Sequence, residues 1–580
     1  MVKKPKNWPY KPYMGLPYMA RNGNFPVNRP YMGVGYKLAE PKVYPFCHKP
    51  VILLSSTRLP WSHPAGHERM QISALIKNQR GTFYPLFAIS LVVIFTLIAQ
   101  IPLIWKVHIA EYDEAIFLDV AGNIRQGGLP LRSIGERGAF YFEHTPLYVY
   151  FLRYIPGGLL TARGLTVVFE IGCVLLVYHF VQWVTGKKAA AFISALLLGI
   201  NSFFARLSFF VYMEVPMAFF LLVGLLLLIK GERKKLLPLA GSGVAFAIAV
   251  LLKEIALLFV IVCGIYAFLR FRQHQRLAWQ AVALVTFPAI IGLVAWGIWC
   301  WQLSPQAFMS TMQRWWGSAT QQALRDPRSS IAAVQWARQI VFDLLDVGIV
   351  SGLVAGILFF ILRRKNALLN CILLGYPVLA IALSFIIRLK ELRHLIGVLP
   401  ISVLFIGVNI DWDVLLEWVW SHRLRKAAGV IIAFILLFLA SPLRSPHGNI
   451  TDFRSWFDPL YAWRLFENDR YYNILRLAGL YLKEHTEPDE VITVLHEATV
   501  TAYYAERHYY MLYTASLDVA MRILERTRYL VWDHEVFLAL TGEEVQAVRE
   551  YVAQHFTVEQ IVQDEFRQVI IYRRVDGVGP

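Results

Sequence analysis

Charge and cysteine are both scarce in this chain. Asp, Glu, Lys and Arg supply only 17% of its 580 residues, while 57% are hydrophobic. That balance excludes an ordinary soluble domain. The five cysteines (Cys47, Cys173, Cys263, Cys300 and Cys371) form no C-x-x-C pair, and four sit in apolar runs. Neither a disulfide framework nor a zinc–thiolate site is expected from that spacing. The first 80 residues lack the compact apolar run and small-residue cleavage site of a secretory leader. No internal repeat is visible, which counts against the related halves of a transporter.

What is present is a series of apolar runs of about 17 to 23 residues, each long enough to cross a hydrocarbon core. In lipid the backbone must bond to itself, so these runs are expected to be helices; they are too long and alternate too poorly for barrel strands. Eleven spans are predicted, at 86–105, 164–184, 188–204, 211–230, 236–252, 254–270, 279–301, 343–362, 367–387, 394–411 and 426–442. The net charge of +17 is not a nucleic-acid signature. Its excess sits in short clusters between spans: Lys187-Lys188, Arg233-Lys234-Lys235, Arg270/Arg272/Arg276, Arg363-Arg364-Lys365 and Arg423/Arg425/Lys426. A cytoplasmic N-terminus places all five clusters inside, as the positive-inside rule requires. The expected location is the plasma or inner membrane.

The expected fold class is an α-helical polytopic membrane protein with a small C-terminal α/β extracytoplasmic domain. Residues 1–80 are basic, carry PYMG twice and sustain no period; they read as a disordered cytoplasmic segment. Met70 offers a second start close to the first span. Residues 81–445 form the transmembrane domain, with a first outer loop at about 106–163. Within it, TPLYVYFLRYIPGGLL reads as an interfacial helix broken by Pro-Gly-Gly. Over 446–580 the segments EVITVLH, HYYMLYT, RYLVWD and RQVIIYRR read as strands; ILRLAGLYLKEH and GEEVQAVREYVAQHF read as amphipathic helices.

In this topology the first outer loop carries Asp113, Glu114, Asp119, Glu143 and His144, and other outward turns carry Arg206, Glu214, Lys253, Glu254, Arg393 and His394. Ionisable groups clustered at the membrane boundary mark a site rather than a surface. Cations would hold a phosphate, and a carboxylate would take a proton. Glu214 reads as structural rather than catalytic. Asp411-Trp412-Asp413 imitates a metal-holding DxD but falls at the cytoplasmic end of a helix, so it is read as no site. The run Arg314-Trp315-Trp316 fits an interfacial aromatic belt.

YDEAIF, NIRQGGLP and YFEHTPLY, in that order, resemble the first outer loop of the polyprenyl-phosphate-dependent GT-C glycosyltransferases, the group of protein O-mannosyltransferases and lipid A aminoarabinose transferases. The chain departs from that pattern at Thr145, Glu214, Glu254 and His394, where family members carry Pro, Asp, Gly and Tyr. The resemblance covers about residues 85–450 and, more loosely, the outer domain with its AYYAER. It implies a sugar donor on a polyprenyl phosphate and transfer with inversion to an extracytoplasmic protein, lipid or glycan. Asp113, with Glu114 and Glu143, is the expected catalytic set, Asp113 acting as general base. Lys253 and Arg393 would stabilise the leaving phosphate, with His144, Arg206 and His394 contacting substrate. No cofactor is assigned; a divalent metal, if bound, would be held by Asp113, Glu143 and His144. A phosphate acceptor would need no base. A flippase of lipid-linked saccharides and a polysaccharide polymerase or ligase are the alternatives.

Overall fold

The computed structural model describes residues 112–136, 138–156, 158–231, 236–313, 336–363, 366–387, 392–412, 459–533, 540–563 and 567–575, with isolated positions at 90, 93, 94, 421 and 537. The basic N-terminal segment, nearly all of the span at 86–105, the run at 314–316 and the span at 426–442 lie outside the described residues.

The first loop opens with helix α1 (Tyr112–Gly127), a short hairpin of β1 (Leu131–Arg132) and β2 (Ala139–Phe140), and a short helix α2 (Leu147–Arg153). The helical layer follows: α3 (Gly158–Thr185), α4 (Lys188–Gly199), α5 (Ser202–Phe209), α6 (Glu214–Lys230), α7 (Leu236–Leu252), α8 (Leu257–Phe271), α9 (Gln275–Leu303), α10 (Asp346–Arg363), α11 (Ala367–Ile387) and α12 (Val398–Asn409). Five described helical segments are long and apolar enough to cross a membrane, or six if one bent pair counts as a single span.

The boundaries follow local chemistry. The expected interfacial helix shortens to α2, because Gly158 takes φ +65° and starts α3 six residues before the expected span. The apolar run at 188–204 does not stay straight: it bends by 60° between α4 and α5. Asn201 makes the bend, accepting from Phe204 N at 2.9 Å and donating to Leu344 O at 3.1 Å. A polar residue that caps the second piece serves as its N-terminus. Lys253, with extended backbone at φ −153°, ends α7, and a single 3₁₀ turn at Glu254–Ala256 leads into α8. Small residues let the helices close up, as lipid-embedded packing demands. A Cβ on Gly243 would come within 1.9 Å of Leu284 O across the α7–α9 contact, and one on Gly407 within 2.1 Å of Ser194 Oγ.

The C-terminal layer comprises α13 (Pro459–His485), β3 (Ile492–Val494), α14 (Ala498–Ala505), β4 (Tyr509–Met511), α15 (Leu517–Arg526), β5 (Tyr529–Trp532), α16 (Gly542–His555), β6 (Phe556–Gln563) and β7 (Gln568–Arg574). Its sheet runs β4-β3-β5-β7-β6, parallel across the first three strands and antiparallel across the last. Thr541 and Glu544 form a reciprocal capping box at the start of α16. Strand β6 is not legible in the sequence. A register irregularity between Val558 and Gln560 puts its apolar Val558 and Ile561 three apart, which reads as helix. The layer is packed onto the first loop: Ala115 of α1 shares a buried core with Ile474, Leu475, Val494 and Tyr509.

Candidate active site

Helix α1 presents two consecutive acids, and at 100° per residue they must point in different directions. Asp113 pairs with Arg393 Nη1, which comes from the 3₁₀ turn Leu392–Leu395 ahead of α12. Arg393 Nε also lies 3.8 Å from Glu214 Oε1, and its guanidinium rests 4.9 Å over the Tyr212 ring. The same Glu214 oxygen accepts from Lys253 Nζ at 2.5 Å. Glu214 is the first residue of α6 and Lys253 terminates α7. Four segments distant in the chain thus join in one network of alternating charge. Its inner part is dry, with the Lys253 side chain 2% exposed; its outer part is not, with Asp113 24% exposed and Arg393 17%. Glu214, structural by its place in the sequence, is the hub of the charged network.

A second pair lies beside the first. His144 Nδ1 is 3.2 Å from Glu254 Oε1, next in sequence to Lys253. Thr145 Oγ1 donates to Val250 O and ties this stretch of the loop to α7. His394 lies within electrostatic reach of Lys253, Arg393 and His144. Glu143 is the most open of the acids, with its side chain 37% exposed, and has Arg132 Nη1 at 3.7 Å. The Arg206 side chain lies outside the described residues. Among the described residues no three His, Cys, Asp or Glu side chains come together as a metal set. Asp113, Glu143 and His144 instead face three different partners.

Glu114, expected from the sequence to act with Asp113, is wholly buried on the other side of α1. Arg163 grips it through two parallel bonds, Nε to Oε1 at 2.8 Å and Nη2 to Oε2 at 2.6 Å. Val211 N donates to it at 3.0 Å. The guanidinium sits 4.5 Å over the Phe209 ring. A carboxylate held this way braces α1 against α3 and the segment before α6; it has no open approach for a substrate.

The hairpin is fastened to α1 through Asp119, which accepts from Ser133 N at 2.8 Å and Ser133 Oγ at 2.5 Å. Burial raises the Asp119 carboxyl above its ordinary value, and the two Ser133 bonds oppose that rise. At the far end of the helices, Lys187 pairs with Asp411. Arg393 and Asp411 flank α12, so on the order of 25 Å of helical rise separates the network from this pair. The DxD-like acid therefore lies at the end away from the network.

The sequence model of the dolichyl-phosphate-mannose-protein mannosyltransferase family matches residues 131–309. A comparison with curated protein sequences finds no significant match. Among solved structures, ArnT from Cupriavidus metallidurans bound to undecaprenyl phosphate superposes with a TM-score of 0.54 at 14% identity, covering 85% of this chain and 99% of that one. The fold is that of the GT-C glycosyltransferases. The Archaeoglobus fulgidus oligosaccharyltransferase tethered with an acceptor peptide gives a TM-score of 0.50 at 11% identity, covering 86% of this chain and 75% of that one. Of the three stretches that carry the resemblance, YFEHTPLY lies within the residues matched by the family model, while YDEAIF and NIRQGGLP precede them.

Three residues of the site are not among those the sequence marks as acting. Glu214 and Glu254 are visible as charges in outward turns, so a signal exists. Arg132, within the unremarkable stretch GLPLRS, has none.

Proposed function

We propose that this protein is an inverting glycosyltransferase that moves a sugar from a polyprenyl phosphate to an acceptor outside the cytoplasm. The reading rests on one observation above all: a partly exposed carboxylate, Asp113, shares Arg393 with the buried Glu214–Lys253 pair. Two cations and one accessible base within a single network are what the reaction needs. The leaving phosphate departs ionised and requires cationic stabilisation, which Lys253 and Arg393 supply. A hydroxyl acceptor needs its proton removed, which Asp113 does. The two needs are linked by exchange: a donor phosphate arriving on Arg393 replaces Asp113 as its partner and frees the carboxylate to act as base. Glu143, His144 and His394 orient the sugar and acceptor around that point, and Arg206 is assigned to substrate contact.

The same reading places the network on the outer face of a plasma or inner membrane, with a cytoplasmic N-terminus and eleven spans. The bound undecaprenyl phosphate of ArnT and the acceptor peptide of the archaeal oligosaccharyltransferase support the donor and acceptor classes by analogy of fold. The test uses the purified full chain with polyprenyl-phosphate sugars and follows release of polyprenyl phosphate. Asp113→Asn should lower transfer to a hydroxyl acceptor by roughly a hundredfold to ten-thousandfold while leaving donor binding measurable. Full activity in that variant would remove Asp113 as base.

A further inference from the structure

Arg132 is one of several residues through which the first loop and the C-terminal layer meet. It comes from the hairpin of the first loop, yet its Nη2 donates to three hydroxyls: Tyr112 at 3.2 Å, and Thr499 and Tyr509 at 3.3 Å each. The last two belong to the C-terminal layer. Tyr509 also accepts and donates through its backbone, from Gly135 N at 2.7 Å and to Ser133 O at 2.8 Å, so the loop forms a parallel bridge to the edge strand β4. Burial pushes the Tyr509 hydroxyl up to about 12, which keeps it protonated. The opposite arm of the guanidinium, Nη1, faces Glu143 at 3.7 Å.

The pattern is lopsided. A guanidinium serving only to hold two layers together should have all its donors filled, because a buried donor left empty is costly. Here, among the described residues, Nε is buried without a hydrogen-bond partner. The bond toward Glu143 is longer than a hydrogen bond, while the side chain is only 11% exposed. One arm is anchored and the other is free to tighten on the exposed acid. We propose that Arg132 is a positioning residue: clamped by Tyr509 and Thr499 of the C-terminal layer, it fixes Glu143 for the reaction and makes the geometry of the site depend on the docking of that layer. The inference rests on the role given to Glu143 in the proposed transfer reaction.

The test is a double-mutant cycle on polyprenyl-phosphate release by the full chain. Arg132→Lys keeps the charge and loses the fork. It should lower kcat by about tenfold and leave the donor KM within about twofold. In a Glu143→Gln background, which is itself slowed, Arg132→Lys should cost nothing further. Equal losses in both backgrounds, or an unchanged kcat in Arg132→Lys, would overturn the coupling while leaving the transferase reading intact. A fully active Glu143→Gln would overturn this inference at its root, and Asp113→Asn then reports separately on the transferase. If Arg132→Lys does not fold, Tyr509→Phe answers the same question. It should lower kcat about threefold with Glu143 present and not at all in the Glu143→Gln background; a loss in both backgrounds counts against the proposal.

Discussion

Two charged regions lie on different faces of helix α1, and the contrast between them is that of a sealed pair and a partly open network. Behind the helix, Glu114 and Arg163 form a closed pair: both oxygens and the fork are matched, a backbone N–H completes the set, and no part is exposed. In front, Asp113, Arg393, Glu214 and Lys253 share partners at unequal distances, and the outer members reach solvent. A closed pair fixes a backbone position. A shared network can release its outer, solvent-reaching carboxylate when another anion takes up the cation, which is the exchange proposed for an arriving phosphate.

The largest effect should come from opening the closed pair. Arg163→Ala leaves Glu114 buried without its cation, at a cost of about 3–5 kcal/mol. Thermal unfolding of the solubilised protein should show a lowered midpoint or loss of folded material. A variant as stable as the parent would erase the distinction between the two regions. Next comes the network. Lys253→Met keeps the length of the side chain and removes its charge, leaving Glu214 to Arg393. The donor KM should rise about tenfold to a hundredfold, the range of a charge-assisted bond, and unchanged donor kinetics would remove Lys253 from the phosphate site. The smallest effect is expected at the far end of the helices. Lys187→Ala breaks a partly exposed pair with Asp411, worth about 0–1 kcal/mol. Transfer should continue at the parent rate; a collapse of activity there would mean that the chemistry is not confined to one end.

Much of the helical layer is legible in the sequence, because the length of an apolar run follows directly from the thickness of a membrane. The turn at Lys253-Glu254 is visible as two charges between apolar stretches, and the chain does break there. The bend at Asn201 is hidden inside an apolar run, since one polar residue among Leu and Phe leaves hydropathy almost unchanged. Strand β6 is hidden by its bulge. In the site, Asp113, Glu143, His144, Lys253, Arg393 and His394 stand out by residue type and place in the loops. Glu114 stands out with them only because adjacency in sequence looks like adjacency in space, which a helix denies.

The sequence by itself determined which stretches are apolar enough to be buried in lipid, and that the acids and cations would gather near their ends. Those are properties of composition and run length, and they need no partner. The tertiary structure alone decided which acid is sealed by Arg163 and which is shared through Arg393, and that Arg132 lies between Glu143 and a C-terminal layer more than 350 residues away in the chain. The value of a charge depends on what surrounds it at about 3 to 4 Å, and those neighbours come from segments whose meeting no local pattern records.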